Sequence, residues 1–120
     1  MVHEISRLMM LAWQRDRRYC PPTAEPVPAS RTDIGEEGYR ATARDFHAPV
    51  WNCLGLDLEG ERLRFQYEVL VPEGTRGRTF EVVARGRPLS DGPAVELRRV
   101  GTLSADRSRI DVTPAVRREF

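Results

Sequence analysis

From Leu63 the odd positions read Leu63, Phe65, Tyr67, Val69 and Val71, while the even ones read Arg62, Arg64, Gln66 and Glu68 until Leu70 ends the pattern. A period of two predicts a strand with one buried face and one wet face. After a loop over 72–78, Phe80, Val82 and Ala84 alternate with Thr79, Glu81 and Arg85, and Gly86 closes the run. Two such runs around a Gly-containing loop predict an antiparallel hairpin. In that register Phe65, Tyr67, Phe80 and Val82 face the core, and Arg64, Gln66 and Glu81 face water. Val95 and Leu97 alternate with Ala94, Glu96 and Arg98 for a third strand, and Ile110 and Val112 mark a short fourth over 109–113. Turns are expected over 88–93, around Asp91-Gly92, and over 104–108.

The N-terminal stretch has a different period. Ile5, Leu8, Met9, Ala12 and Trp13 fall at i, i+3, i+4, i+7 and i+8, one stripe of a helix over residues 3–18. The stripe reads first as a core contact through Ile5, Leu8, Met9 and Ala12. Met10 and Leu11 lie off it and make the helix apolar on a second side. Arg15, Arg17 and Arg18 occupy the last turn, where cations suit the negative end of the helix dipole.

Between helix and sheet the pattern dissolves. Tyr19-Cys20-Pro21-Pro22 ends the helix, because a residue before proline is driven from the helical region. Pro26, Pro28, Gly35, Gly38 and Pro49 then keep the chain irregular, with Val27, Ile34, Tyr39 and Phe46 as its few apolar anchors. A connection this long needs something to hold it down, and Cys20 and Cys53 bracket it. A bond between them would stabilise the fold by about 3.5 to 4 kcal/mol on the chain-entropy model. Two buried free thiols are the alternative. The expected class is α+β: one domain over 1–120, with a helix at 3–18, a pinned loop region at 19–61 and a three- or four-stranded antiparallel meander at 62–113 packed on the helix.

Composition narrows the function classes. The chain is 31% charged with a formal net charge of +1, so no overall field steers it to nucleic acid or to anionic lipid. All 19 basic residues are arginine, which reads as the mark of a GC-rich genome rather than of selection for phosphate binding. The longest apolar run, 8–13, is far short of the roughly 20 residues a spanning helix requires. His47 and Asp45 precede Cys53, but a cysteine in a disulfide cannot attack. His3, His47, Cys20 and Cys53 form no metal-ligand spacing. Glu36-Glu37 diverge in any regular backbone, and the glycines match no phosphate-binding fingerprint. Arg98-Arg99 and Arg117-Arg118 would make a basic patch only if the fold brought them to the helix-end arginines; a solvated surface is the plainer expectation. The residues alone describe an extracytoplasmic structural or binding domain with no cofactor, no metal and no catalysis.

The order of features resembles the globular region of type IV pilins and minor pilins. It is carried by Tyr19-Cys20-Pro21, Pro26-Val27-Pro28-Ala29-Ser30, Tyr39, Trp51-Asn52-Cys53-Leu54, Phe65-Gln66-Tyr67, and Phe80 with Ala84 and Gly86. The resemblance implies a pilin-like fold and a subunit that acts by assembling with other pilin or pseudopilin subunits, with Met10, Leu11 and Trp13 as candidate contacts. It also implies no small-molecule substrate, and a place in the periplasm, at the inner membrane through an anchor, or in an extracellular pilus. Two departures stand out. The family's acidic calcium loop is here Gly86-Arg87-Pro88-Leu89-Ser90-Asp91-Gly92, too poor in carboxylates for the oxygens calcium needs. The apolar anchor helix is also absent from this sequence, so 3–18 would match the outer half of a longer helix or belong to an anchorless relative. A soluble periplasmic adaptor or ligand-binding module on a similar fold is the alternative.

Overall fold

A computed structural model describes residues 1–88 and 91–119. Helix α1 spans Val2–Asp16. It stops short of the expected 18 because Arg17 turns left-handed and donates its N–H to the Trp13 carbonyl, an αL cap that precedes the prolines. α1 lies against strands β4 (Thr79–Gly86) and β5 (Val95–Leu103), which pair antiparallel along their whole length. Strand β3 (Phe65–Leu70) pairs with the other side of β4, Tyr67 opposite Ala84 and Val69 opposite Val82.

The edge beyond β5 is more extensive than expected. Two strands share it, β6 (Ile110–Val112) against Gly101–Leu103 and β7 (Val116–Glu119) against Val95–Arg98. β7 carries no apolar alternation and is exposed throughout; only its backbone pairing makes it a strand, so the sheet runs past 113. The start of the predicted first strand also leaves this sheet. Arg62–Leu63 (β2) pairs with Tyr39–Arg40 (β1), and Arg64 is the bend between β2 and β3.

The core forms where the inner sheet face meets α1. Ile5, Met9, Ala12, Val69, Phe80, Val82, Ala84 and Leu103 are buried in one cluster, with Leu8, Phe65 and Tyr67 half-buried at its margin. Phe80 stacks edge-on to Tyr19, and Gly101 stands opposite it because a Cβ there would enter the Phe80 ring. Trp13, expected at an exposed contact surface, is buried against Tyr19. The αL turn at Arg17 folds Tyr19 back onto the helix end, and that covers the indole.

The region expected to be a loop is built, with Cys20 and Cys53 joined by a disulfide. Short 3-10 helices form at Arg31–Asp33 and Ala43–Phe46, each opened by a reciprocal capping box, Ser30 with Asp33 and Thr42 with Asp45. Helix α2 (Pro49–Leu54) starts on proline and ends on a left-handed Gly55. Val50, Trp51 and Leu54 bury its inner side, and Phe46 packs edge-on to Trp51. Thr23 and Val27 hydrogen-bond to Val69 and Tyr67, so this segment covers the free edge of β3. That cover also overturns the expectation that Gln66 faces water. Its side chain is buried and donates to the carbonyls of Pro28 at 3.0 Å and Ala29 at 3.1 Å. Leu89 and Ser90, in the turn read against calcium, lie outside the described residues.

Candidate functional site

α1 presents three sides. One is sealed against the sheet, Leu8 and Met10 are half-buried beside the core, and Leu11 is 43% exposed. Of the three residues expected at a subunit contact, Leu11 is thus open, Met10 partly so and Trp13 not.

A cleft of about 490 Å³ opens between the Ser30–Glu36 segment and the ends of β3 and β4. Arg31, Arg64 and Arg87 line it with Ile34 and Ala94. Arg64 donates to the Glu36 carbonyl at 3.0 Å and Arg87 to the Gly92 carbonyl at 2.9 Å. Gly86 is in the wall, where a side chain would collide with the Arg64 carbonyl.

A smaller cavity of about 310 Å³ opens at the C-terminal end of α1. The helix end contributes Arg17 and Arg18, the β3–β4 loop contributes Arg76 and Arg78, and the β5–β6 loop contributes Arg107. The three non-glycine residues of positive φ among those described are Arg17 (58°), Arg76 (54°) and Arg107 (59°), and all three line this cavity. That conformation costs an arginine about 1–2 kcal/mol, and glycine or asparagine adopts it more cheaply. Arg78 donates to the Leu103 carbonyl at 3.2 Å, while its Nε is buried without a partner. Tyr19 donates its hydroxyl to the Arg78 carbonyl at 3.1 Å, and burial pushes its phenol up to about 12, so it remains a neutral donor.

The adjacent carboxylates have their hydrogen bonds elsewhere, although, beside its Arg15 hydrogen bond, the Arg18 charge helps to hold the Asp16 carboxyl down. Asp16 pairs with Arg15 at 2.8 Å. Asp106 accepts from Ser108 and Ser104, hydrogen bonds that hold it down at about 2. Among the described residues, none of these five arginines forms a salt bridge.

The basic patch considered from sequence does not assemble. Arg98 pairs with Glu81 and Glu96, Arg118 with Glu96, and Arg99 contacts His3 and the Thr113 carbonyl. The helix-end arginines meet Arg76, Arg78 and Arg107 instead, which the linear reading missed because these come from separate stretches. The available signal was arginine within the turns 73–78 and 104–108, where small residues are the usual choice.

The other candidates separate. Cys53 is bonded to Cys20, and Asp45 accepts from Tyr39 and Thr42 rather than from His47. Glu36 and Glu37 serve through their backbone carbonyls, accepting from Arg64 and Arg62. Among the described residues no three His, Cys, Asp or Glu side chains gather to hold a metal ion, and no helix is long and apolar enough to cross a membrane. The chain matches no family model, no curated protein and no solved structure.

Proposed function

We propose that the chain is a structural subunit of a filament, a pilin-like or minor-pilin-like component of a type IV pilus or a secretion pseudopilus. It acts by assembly with other such subunits rather than by turnover, and the full-length form is held at the inner membrane before assembly. The observation that carries this reading is Leu11, exposed on α1 with part of Met10 and off the side that is sealed against the sheet. A packing partner for Leu11 would be another helix of the same kind. The disulfide that ties the end of α1 to α2 supports it, since it holds the helix and the built loop as one body.

The test uses the full gene product, epitope-tagged in its own host. Filaments are sheared from the cells and sedimented, and the tag is followed by immunoblot. The chain should sediment with the filaments, and Leu11→Asp should remove it from them while its melting curve in extract is unchanged. A chain that stays wholly in the soluble fraction while filaments form would end this reading. The 490 Å³ cleft favours a second one, a periplasmic adaptor or ligand-binding module; that reading predicts the same soluble result together with a bound small molecule after purification.

A further inference from the structure

We propose that the cavity at the C-terminal end of α1 is a binding site for a multiply charged oxyanion of the phosphate class. Five arginines from three separate parts of the chain line one concavity, and among the described residues none of them forms a salt bridge. Like charges gathered in this way repel, and the arrangement becomes favourable when an anion neutralises it. Of the five, Arg78 spends a terminal nitrogen on the Leu103 carbonyl, and its Nε is buried out of reach of solvent. A second feature is that three of the five arginines occupy left-handed turn positions where glycine would be cheaper, so charge stands there against the backbone's preference.

The chemistry selects the ligand. Guanidinium forks pair bidentately with phosphate oxygens, and one carboxylate would balance only one of the charges. The neutral Tyr19 phenol beside the arginines adds no competing negative charge. The proposal is independent of filament assembly.

Inorganic pyrophosphate is the probe, titrated calorimetrically into the full chain against sodium chloride of matched ionic strength. A saturable one-to-one isotherm and a raised Tm are expected with pyrophosphate and not with chloride. Arg76→Gly and Arg107→Gly remove charge while relieving the left-handed backbone. Each should weaken pyrophosphate binding about tenfold or more without lowering the Tm of the free protein. A second arm presents vesicles that contain phosphatidic acid, whose headgroup is a phosphomonoester. Retention that pyrophosphate competes away assigns the anion to a lipid headgroup, and pyrophosphate binding without retention assigns it to a soluble phosphate. No saturable pyrophosphate binding, or equal binding by the Arg76→Gly/Arg107→Gly double variant, would overturn the proposal.

Discussion

Val82 and Val83 are neighbours on β4 and both are fully buried, but different things bury them. Val82 points to the inner face and lies in the cluster with Phe80, Met9 and Ile5. Val83 points to the outer face and lies outside that cluster. There the register surrounds it with charged side chains: Glu68 and Arg98 stand opposite it, and Glu81 and Arg85 flank it. Their aliphatic stems exclude water while their ends pair. Arg85 reaches Glu68 at 2.8 Å and Glu96 at 3.0 Å, and Arg98 reaches Glu81 at 2.9 Å and Glu96 at 3.4 Å. The two faces show that a charged stripe can cover apolar surface without a second layer of structure.

The faces should therefore respond differently to truncation. Phe80→Ala should be the most damaging change, about 3–5 kcal/mol in urea unfolding, because the ring is fully buried over Gly101 and against Tyr19. Val83→Ala should cost about 2 kcal/mol, since its cover is also complete but made of side chains free to settle into the space. Equal losses for Val83→Ala and an exposed control such as Val116→Ala would mean that the ionic cover does not seal the face.

The inner face was legible because alternation reports burial against a packed layer, and Val69, Phe80 and Val82 follow it. The outer face was not, because Val83 sits among Glu81 and Arg85 and nothing local says that their stems close over it. Gln66 failed for a similar reason: its acceptors, the Pro28 and Ala29 carbonyls, come from a segment whose path no periodicity records. Other parts of that segment did carry signals. The spacings Ser30–Asp33 and Thr42–Asp45 are capping boxes, and Pro49 with Gly55 brackets α2 as first-turn proline and C-terminal glycine do. The arginine cavity left only the trace of arginine in two turns, because the convergence of a helix end and two loops has no linear pattern.

Glu96 is the centre of the outer lattice, buried and in contact with Arg85, Arg98 and Arg118. Burial alone would raise its carboxyl, but the hydrogen bonds and charges of Arg98 and Arg85 together outweigh that and hold it below the usual carboxylate range. A depressed folded-state value makes the ionised form stabilising above the unfolded value, and that stability disappears as pH falls through the folded one. Glu96→Gln should thus cost about 1–2 kcal/mol near neutrality, discounted for the solvent that reaches the arginines. The gap between the native chain and the variant should hold above about pH 6 and close as the solution is acidified below the ordinary glutamate range. A gap that persists unchanged at low pH would show that Glu96 acts by shape rather than by charge.

The smallest effect should come from an ion pair that matches the lattice in distance but not in surroundings. Arg109 Nε lies 3.0 Å from Asp111 Oδ1, the same separation as Arg85 Nε from Glu96 Oε1. The side chains of Arg109 and Asp111 are 70% and 63% exposed, against 27% and 8% for Arg85 and Glu96. Water and salt screen the exposed pair, and ordering two free side chains costs entropy that offsets its attraction. Arg109→Ala should therefore change unfolding free energy by less than about 0.5 kcal/mol, and that change should vanish in high salt. The Glu96→Gln loss should survive the same salt, because a buried carboxylate is reached by few counterions. If both losses faded together, the outer face would be held by ordinary surface charge, and the complete burial of Val83 would need another cause.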